Sequence, residues 1–149
     1  MFTDGQAIMR KLRKRSRPRL GWARAIPELR RNLALAYMRQ GNLEAAIAEL
    51  RTASRDAPED TAIWYTLGNA YLQSRNWSRA VAAFETRLSL RSDWPEATFN
   101  LALASERSGD TEETVAAYRR FLAGAGANDP RRRAEAQRRV AELERKQSR

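Results

Sequence analysis

The chain has 149 residues, 42% of them hydrophobic, and a net charge of +10 from 28 Lys and Arg against 18 Asp and Glu; that is the size of one domain with material for one core. Cys and His are both absent, which excludes disulfides, thiolate nucleophiles, Cys/His zinc sites and imidazole general bases together. No apolar run approaches the roughly 18 residues that cross a bilayer, and no signal-peptide pattern follows Met1, so a cytoplasmic protein is expected.

The first element in chain order is a basic arm, 1–26, with eight cations and the single acid Asp4. Seven of those cations (Arg10, Lys11, Arg13, Lys14, Arg15, Arg17 and Arg19) fall within ten residues, too dense a run to pack as a core element. Phe2, Ile8, Met9 and Leu12 supply a short apolar edge beside it. Such an arm can lie on anionic lipid at the periphery of a membrane complex, bind the phosphates of RNA or DNA, dock on an acidic protein, act as an Arg-rich, acid-poor targeting peptide, or stay solvated.

Three blocks follow, 27–60, 61–94 and 95–128, which align without a gap at a period of thirty-four. Leu33, Leu67 and Leu101 share a column; Ala34, Gly68 and Ala102 share the next; Ala36, Ala70 and Ala104, then Ile47, Val81 and Val115, then Leu50, Phe84 and Tyr118 share others. Within the middle block Trp64, Leu67, Gly68 and Tyr71 recur at three- and four-residue spacing, as do Trp77, Ala80, Val81, Phe84 and Leu88, so each set shares one helix face. Each block is therefore a helix pair, with first helices near 27–40, 61–74 and 95–108. Gly68 and Ala80 are small because two antiparallel helices meet there. Gly41-Asn42 and Gly109-Asp110 are turns in which Gly takes positive φ and Asn or Asp caps the following helix; Arg75-Asn76 does the same work at some local cost. A single pair cannot bury its apolar face, and about three are the practical minimum.

The last element, 129–149, is a capping helix with a basic tail. Asp129-Pro130 start it, Ala136, Val140 and Leu143 form a thin apolar stripe, and Glu135–Arg139 and Glu142–Lys146 are spaced for i,i+4 pairs.

The order Trp64, Leu67, Gly68, Tyr71, Ala80, Phe84 resembles the tetratricopeptide repeat. The first block matches through Leu33, Ala34, Tyr37, Ala46, Ala53 and Pro58. The third keeps Leu101, Ala102 and Tyr118 but has Thr98, Ser105 and Thr114 at signature columns. The resemblance implies an all-α, right-handed solenoid of three helix-turn-helix units with a capping helix, and a concave groove lined by the first helices. Its residues would be Arg31, Leu35 and Met38, then Tyr65, Asn69 and Leu72, then Phe99, Leu103 and Glu106. Asn69 stands where family members bind a ligand backbone, since an amide can donate and accept at once. One family subset grips free carboxylates with a Lys/Arg/Asn clamp. Here Leu35, Glu96 and Asn100 replace clamp residues, so a free carboxylate is not the expected ligand.

The function expected is a non-catalytic scaffold or adaptor holding a peptide or partner helix, as an accessory subunit of a larger assembly; an RNA-, ribosome- or phospholipid-binding protein acting through the arm is the alternative. An apolar groove also allows self-association. No phosphate loop, dinucleotide motif or metal-ligand spacing is present, so no catalytic residue, metal or cofactor is expected. Glu59-Asp60 and Glu112-Glu113 are explained as acids at helix starts.

Overall fold

A computed structural model describes residues 19–124 and 128–149; the arm residues Arg10, Lys11, Arg13, Lys14, Arg15 and Arg17 lie outside them. The described residues form seven helices and no strand: α1 (Arg19–Arg39), α2 (Leu43–Asp56), α3 (Thr61–Gln73), α4 (Trp77–Leu90), α5 (Pro95–Ser108), α6 (Thr111–Ala123) and α7 (Pro130–Gln147). Helices α1/α2, α3/α4 and α5/α6 pack as pairs, each pair packs on the next, and α7 packs on α6. This is the all-α solenoid that the thirty-four-residue rhythm predicts.

The local signals act as read. Asn42 accepts from the Ala45 amide, Asp60 from Ala62 and Ile63, Asp110 from Glu113, and Asp129 from Arg131 and Arg132, each satisfying donors that a helix start leaves unpaired. The three turn columns all take positive φ: 76° at Gly41, 59° at Arg75 and 88° at Gly109. Arg75 is the only non-glycine among them, and Asn76 makes no side-chain cap bond, so the middle turn carries the cost foreseen for it.

The core runs the length of the array. Ala34, Ala46, Leu50, Ile63, Ala70, Ala80, Phe84, Ala102 and Tyr118 are completely buried. A Cβ built on Gly68 would stand 2.6 Å from Phe84 Cε1; the absence of a side chain at 68 is what lets α3 and α4 close on each other.

Two boundaries differ from expectation. The first helix starts at Arg19, not near 27, so part of the basic arm is helical and Pro27 is inside a helix. Proline has no N–H to return to the Ala23 carbonyl, yet its ring is fully buried, so packing offsets the missing bond. The second difference is Leu33, 44% exposed where its column mates Leu67 and Leu101 are each 3% exposed. Those two sit behind a preceding helix pair, and α1 has none among the described residues.

Candidate functional site

One wall of the solenoid is built from first helices. Helices α1 and α3 touch, and so do α3 and α5, so equivalent columns stand side by side. Arg31, Leu35 and Met38 on α1, Tyr65, Asn69 and Leu72 on α3, and Leu103 and Glu106 on α5 are all half-buried. That is the exposure of a wall with its roots in the core and its tips free.

Phe99 is different. It is only 5% exposed, with its ring 5.7 Å from that of Tyr118 and 5.1 Å from that of Phe121, both edge-on. The Arg132 guanidinium of α7 lies 5.5 Å from the ring centre. Phe99 is thus a core residue shared by α5, α6 and α7 and not an open wall position; replacing it would disturb folding before it disturbed binding. The cause is α7, which lies in phase with the other first helices: Ala136 is completely buried and falls thirty-four residues after Ala102. The rhythm therefore extends one helix further than the three blocks.

Glu106 is also occupied. It accepts from the Tyr118 hydroxyl at 3.2 Å and is ion-paired with Arg139. Burial raises the Tyr118 pKa above its ordinary value of 10, and the Glu106 charge and hydrogen bond raise it further. Burial is the largest single influence and works to lower the Arg139 pKa, but Glu106, Glu142 and Tyr118 together outweigh it and the net direction is upward. Arg139 also pairs with Glu142 at 3.2 Å, so its partners are Glu106 and Glu142 where the spacing had pointed to Glu135. These contacts, with Arg132 3.9 Å from Glu96, tie α7 to α5.

Asn69 is half committed. Its Oδ1 accepts from Asn100 Nδ2 at 2.9 Å, a bond between neighbouring repeats that leaves the Asn69 amide N–H donors for another molecule. Sequence reasoning passed over Asn100 except as a departure from the clamp; the available signal was a second amide on the neighbouring helix. It also passed over Trp94, 44% exposed, which packs 6.1 Å from Tyr65 and carries the Arg87 guanidinium 5.0 Å above its ring. Arg87 is itself buried and donates to the Arg91 carbonyl at 2.6 Å. Burial lowers its pKa, with Asp93 acting against that, but a guanidinium stays charged. The wall thus has an aromatic rim at Tyr65 and Trp94, backed by the buried Arg87, and an apolar centre at Leu35, Met38, Leu72 and Leu103.

Among the described residues no cluster of acids could hold a metal ion, and no helix is long and apolar enough to cross a membrane. The acid pairs act as expected of helix starts: Asp60 caps α3, and Glu112-Glu113 lie in the first turn of α6.

The tetratricopeptide-repeat family model matches residues 31–89 and 65–130, together more than half of the chain. Human Superkiller complex protein 3 is 31% identical over 88 residues, 59% of this chain and 6% of that protein. Tetratricopeptide repeat protein 37 of Xenopus laevis is 29% identical over 96 residues, 64% of this chain and 6% of that protein. The chain therefore spans a small fraction of the length of the curated relatives it matches. Among solved structures, the first such domain of Spaghetti (RPAP3), bound to the HSP90 peptide SRMEEVD, superposes with a TM-score of 0.72 at 16% identity, covering 84% of this chain and 95% of that one. The Yersinia enterocolitica type III secretion chaperone SycD, in complex with a peptide of the translocator YopD, gives 0.71 at 15% identity, covering 80% and 93%. The N-terminal domain of stress-induced protein-1 from C. elegans gives 0.70 at 18% identity, covering 82% and 97%.

Proposed function

Since the chain belongs to the tetratricopeptide-repeat family, we propose that it is a non-catalytic interaction scaffold whose first-helix wall holds a peptide or partner helix. The observation that carries this reading is the set of half-buried apolar tips, Leu35, Met38, Leu72 and Leu103, in matched columns of three adjacent helices. An apolar strip of this kind suits the apolar face of an amphipathic segment. The N–H donors of Asn69 orient such a segment by its backbone carbonyls, and Arg31 closes the α1 end with a cation. Peptide-bound structures of the same fold, with the HSP90 and YopD peptides, support a groove as the working surface. With Leu35 and Asn100 in clamp columns, the ligand differs in chemistry from a free C-terminal carboxylate. The role is that of an accessory subunit in a larger, cytoplasmic or membrane-peripheral assembly.

The test is co-purification with the full-length chain bearing Leu35→Asp and Leu103→Asp. Both side chains are half-buried, so circular dichroism should keep its helical signal while the partner is lost. Retention of the partner by the folded variant would place binding elsewhere.

A second reading rests on the seven cations between Arg10 and Arg19. Binding to RNA or anionic vesicles through them would weaken steeply with salt; affinity indifferent to salt would eliminate it.

A further inference from the structure

The second helices carry a site of their own. Between α2 and α4, over a face of α3 that the groove columns leave out, lies an open cleft of about 350 Å³. Its floor is Trp64, Leu67 and Tyr71, and its rim is Arg51 and Arg55 from α2 with Arg79 from α4. Among the described residues, none of the three guanidiniums is in an ion pair; the carboxylates that pair do so with Arg30, Arg91, Arg119, Arg132 and Arg139. Three converging cations without counter-charges repel one another, and an anion relieves that repulsion.

The neighbouring repeat shows that this charge is a property of the position and not of the solenoid surface. Thirty-four residues on, Arg51 becomes Glu85, Arg55 becomes Ser89 and Arg79 becomes Glu113, while Thr86 becomes Arg120. There burial pushes the Glu113 pKa up, with the Glu85 and Asp110 charges acting the same way and Arg120 against them. The three cations of this cleft are thus not repeated in the next unit.

We propose that the Arg51/Arg55/Arg79 cleft binds an acidic peptide segment of a partner protein, with an apolar side chain on the Trp64–Leu67–Tyr71 floor and carboxylates on the rim. Guanidiniums present paired N–H donors that match a carboxylate. A nucleic acid fits less well for two reasons. Its bases need an open aromatic face, whereas Tyr71 is 6% exposed with Arg79 already over its ring at 6.0 Å, and Trp64 is pinned by its Nε1–H donating to the Pro58 carbonyl at 2.8 Å. A continuous phosphate backbone would also run from this cleft into Glu85 and Glu113. The inference depends on the outer face alone and is independent of what the groove holds.

The experiment is fluorescence anisotropy of a short labelled peptide of repeated Glu-Glu-Leu, titrated with the full-length chain. It is repeated with the triple variant Arg51→Gln, Arg55→Gln, Arg79→Gln, with a groove variant, Leu72→Asp, and with an arm variant in which the cations of 10–19 are Gln. All three rim arginines are exposed, so the triple variant keeps its circular dichroism. The expected result is a roughly tenfold loss of affinity in the rim variant, since exposed charge pairs are individually weak but three act together. The groove and arm variants should bind as the parent does, and a Gln-Gln-Leu peptide should not bind. Equal affinity of parent and rim variant, or a loss confined to the arm or groove variant, overturns the proposal. So does a single-stranded RNA that displaces the peptide from the parent and itself requires the same three arginines for tighter binding.

Discussion

Gly68 shows how much one missing side chain decides. Alanine favours a helix over glycine by about 1 kcal/mol, so by propensity alone Gly68→Ala should stabilise α3. Its Cβ would instead stand 2.6–2.8 Å from three atoms of the Phe84 ring, and Phe84 is fully buried beside Tyr65. Overpacking of this kind costs about 1–3 kcal/mol, so urea denaturation should show a net loss, with partial recovery on adding Phe84→Leu. Arg75 is the opposite case. It holds φ 59° where Gly41 and Gly109 hold the same turn, and replacing it by Gly should gain about 0.5–1 kcal/mol, visible as a higher Tm, after the extra freedom of the unfolded glycine is deducted. Tyr118 titrates. Its pKa in the fold lies above the ordinary 10, so the unfolded chain releases this proton first. The stability it provides is complete below pH 10 and is lost as pH rises beyond it. Tyr118→Phe should therefore lose about 1 kcal/mol at pH 7 with its bond to Glu106, and show a shallower decline in urea midpoint above pH 10 than the parent.

At the scale of elements, repetition made most of the architecture readable. Helix starts follow from Asn42, Asp60, Asp110 and Asp129, whose caps depend only on neighbours a few residues away. What repetition could not tell is where the array ends. Leu33 has the column of a core residue but no preceding pair to cover it. Phe99 has the column of a wall residue but is roofed by α7, whose Arg132 carries no apolar signal to announce the contact. The phase of Ala136 was the one available clue. Phe99→Ala should accordingly cost about 3–5 kcal/mol, as for a large aromatic in a core, while Leu103→Ala on the same helix, half-buried, should cost clearly less; urea midpoints of the two variants separate core from wall. The start of α1 was hidden by Pro27, which usually marks a helix boundary and here is packed inside one.

For the whole molecule, the order of the helices sets what can be bound. First helices side by side give a wall whose columns repeat, so a ligand meets Leu35, Asn69 and Leu103 in one column and Met38, Leu72 and Glu106 in the next. Second helices give the outer face, where the cations of Arg51 and Arg79 give way to Glu85 and Glu113 one repeat on. The wall was legible as a set of columns because helix periodicity fixes which residues share a face. Its internal ties, Asn69 to Asn100 and Glu106 to Tyr118 and Arg139, depend on side chains from different repeats and could not be read from spacing. The most direct measurement is site-specific photo-crosslinking in the full-length chain, with the photoreactive residue at Leu72 or Leu103 on the wall and at exposed Ala116 on the outer face of α6, followed by mass spectrometry of the adducts. The account predicts one shared partner peptide crosslinked from both wall positions and absent from Ala116. The same adduct from Ala116, with none from Leu72 or Leu103, would contradict it.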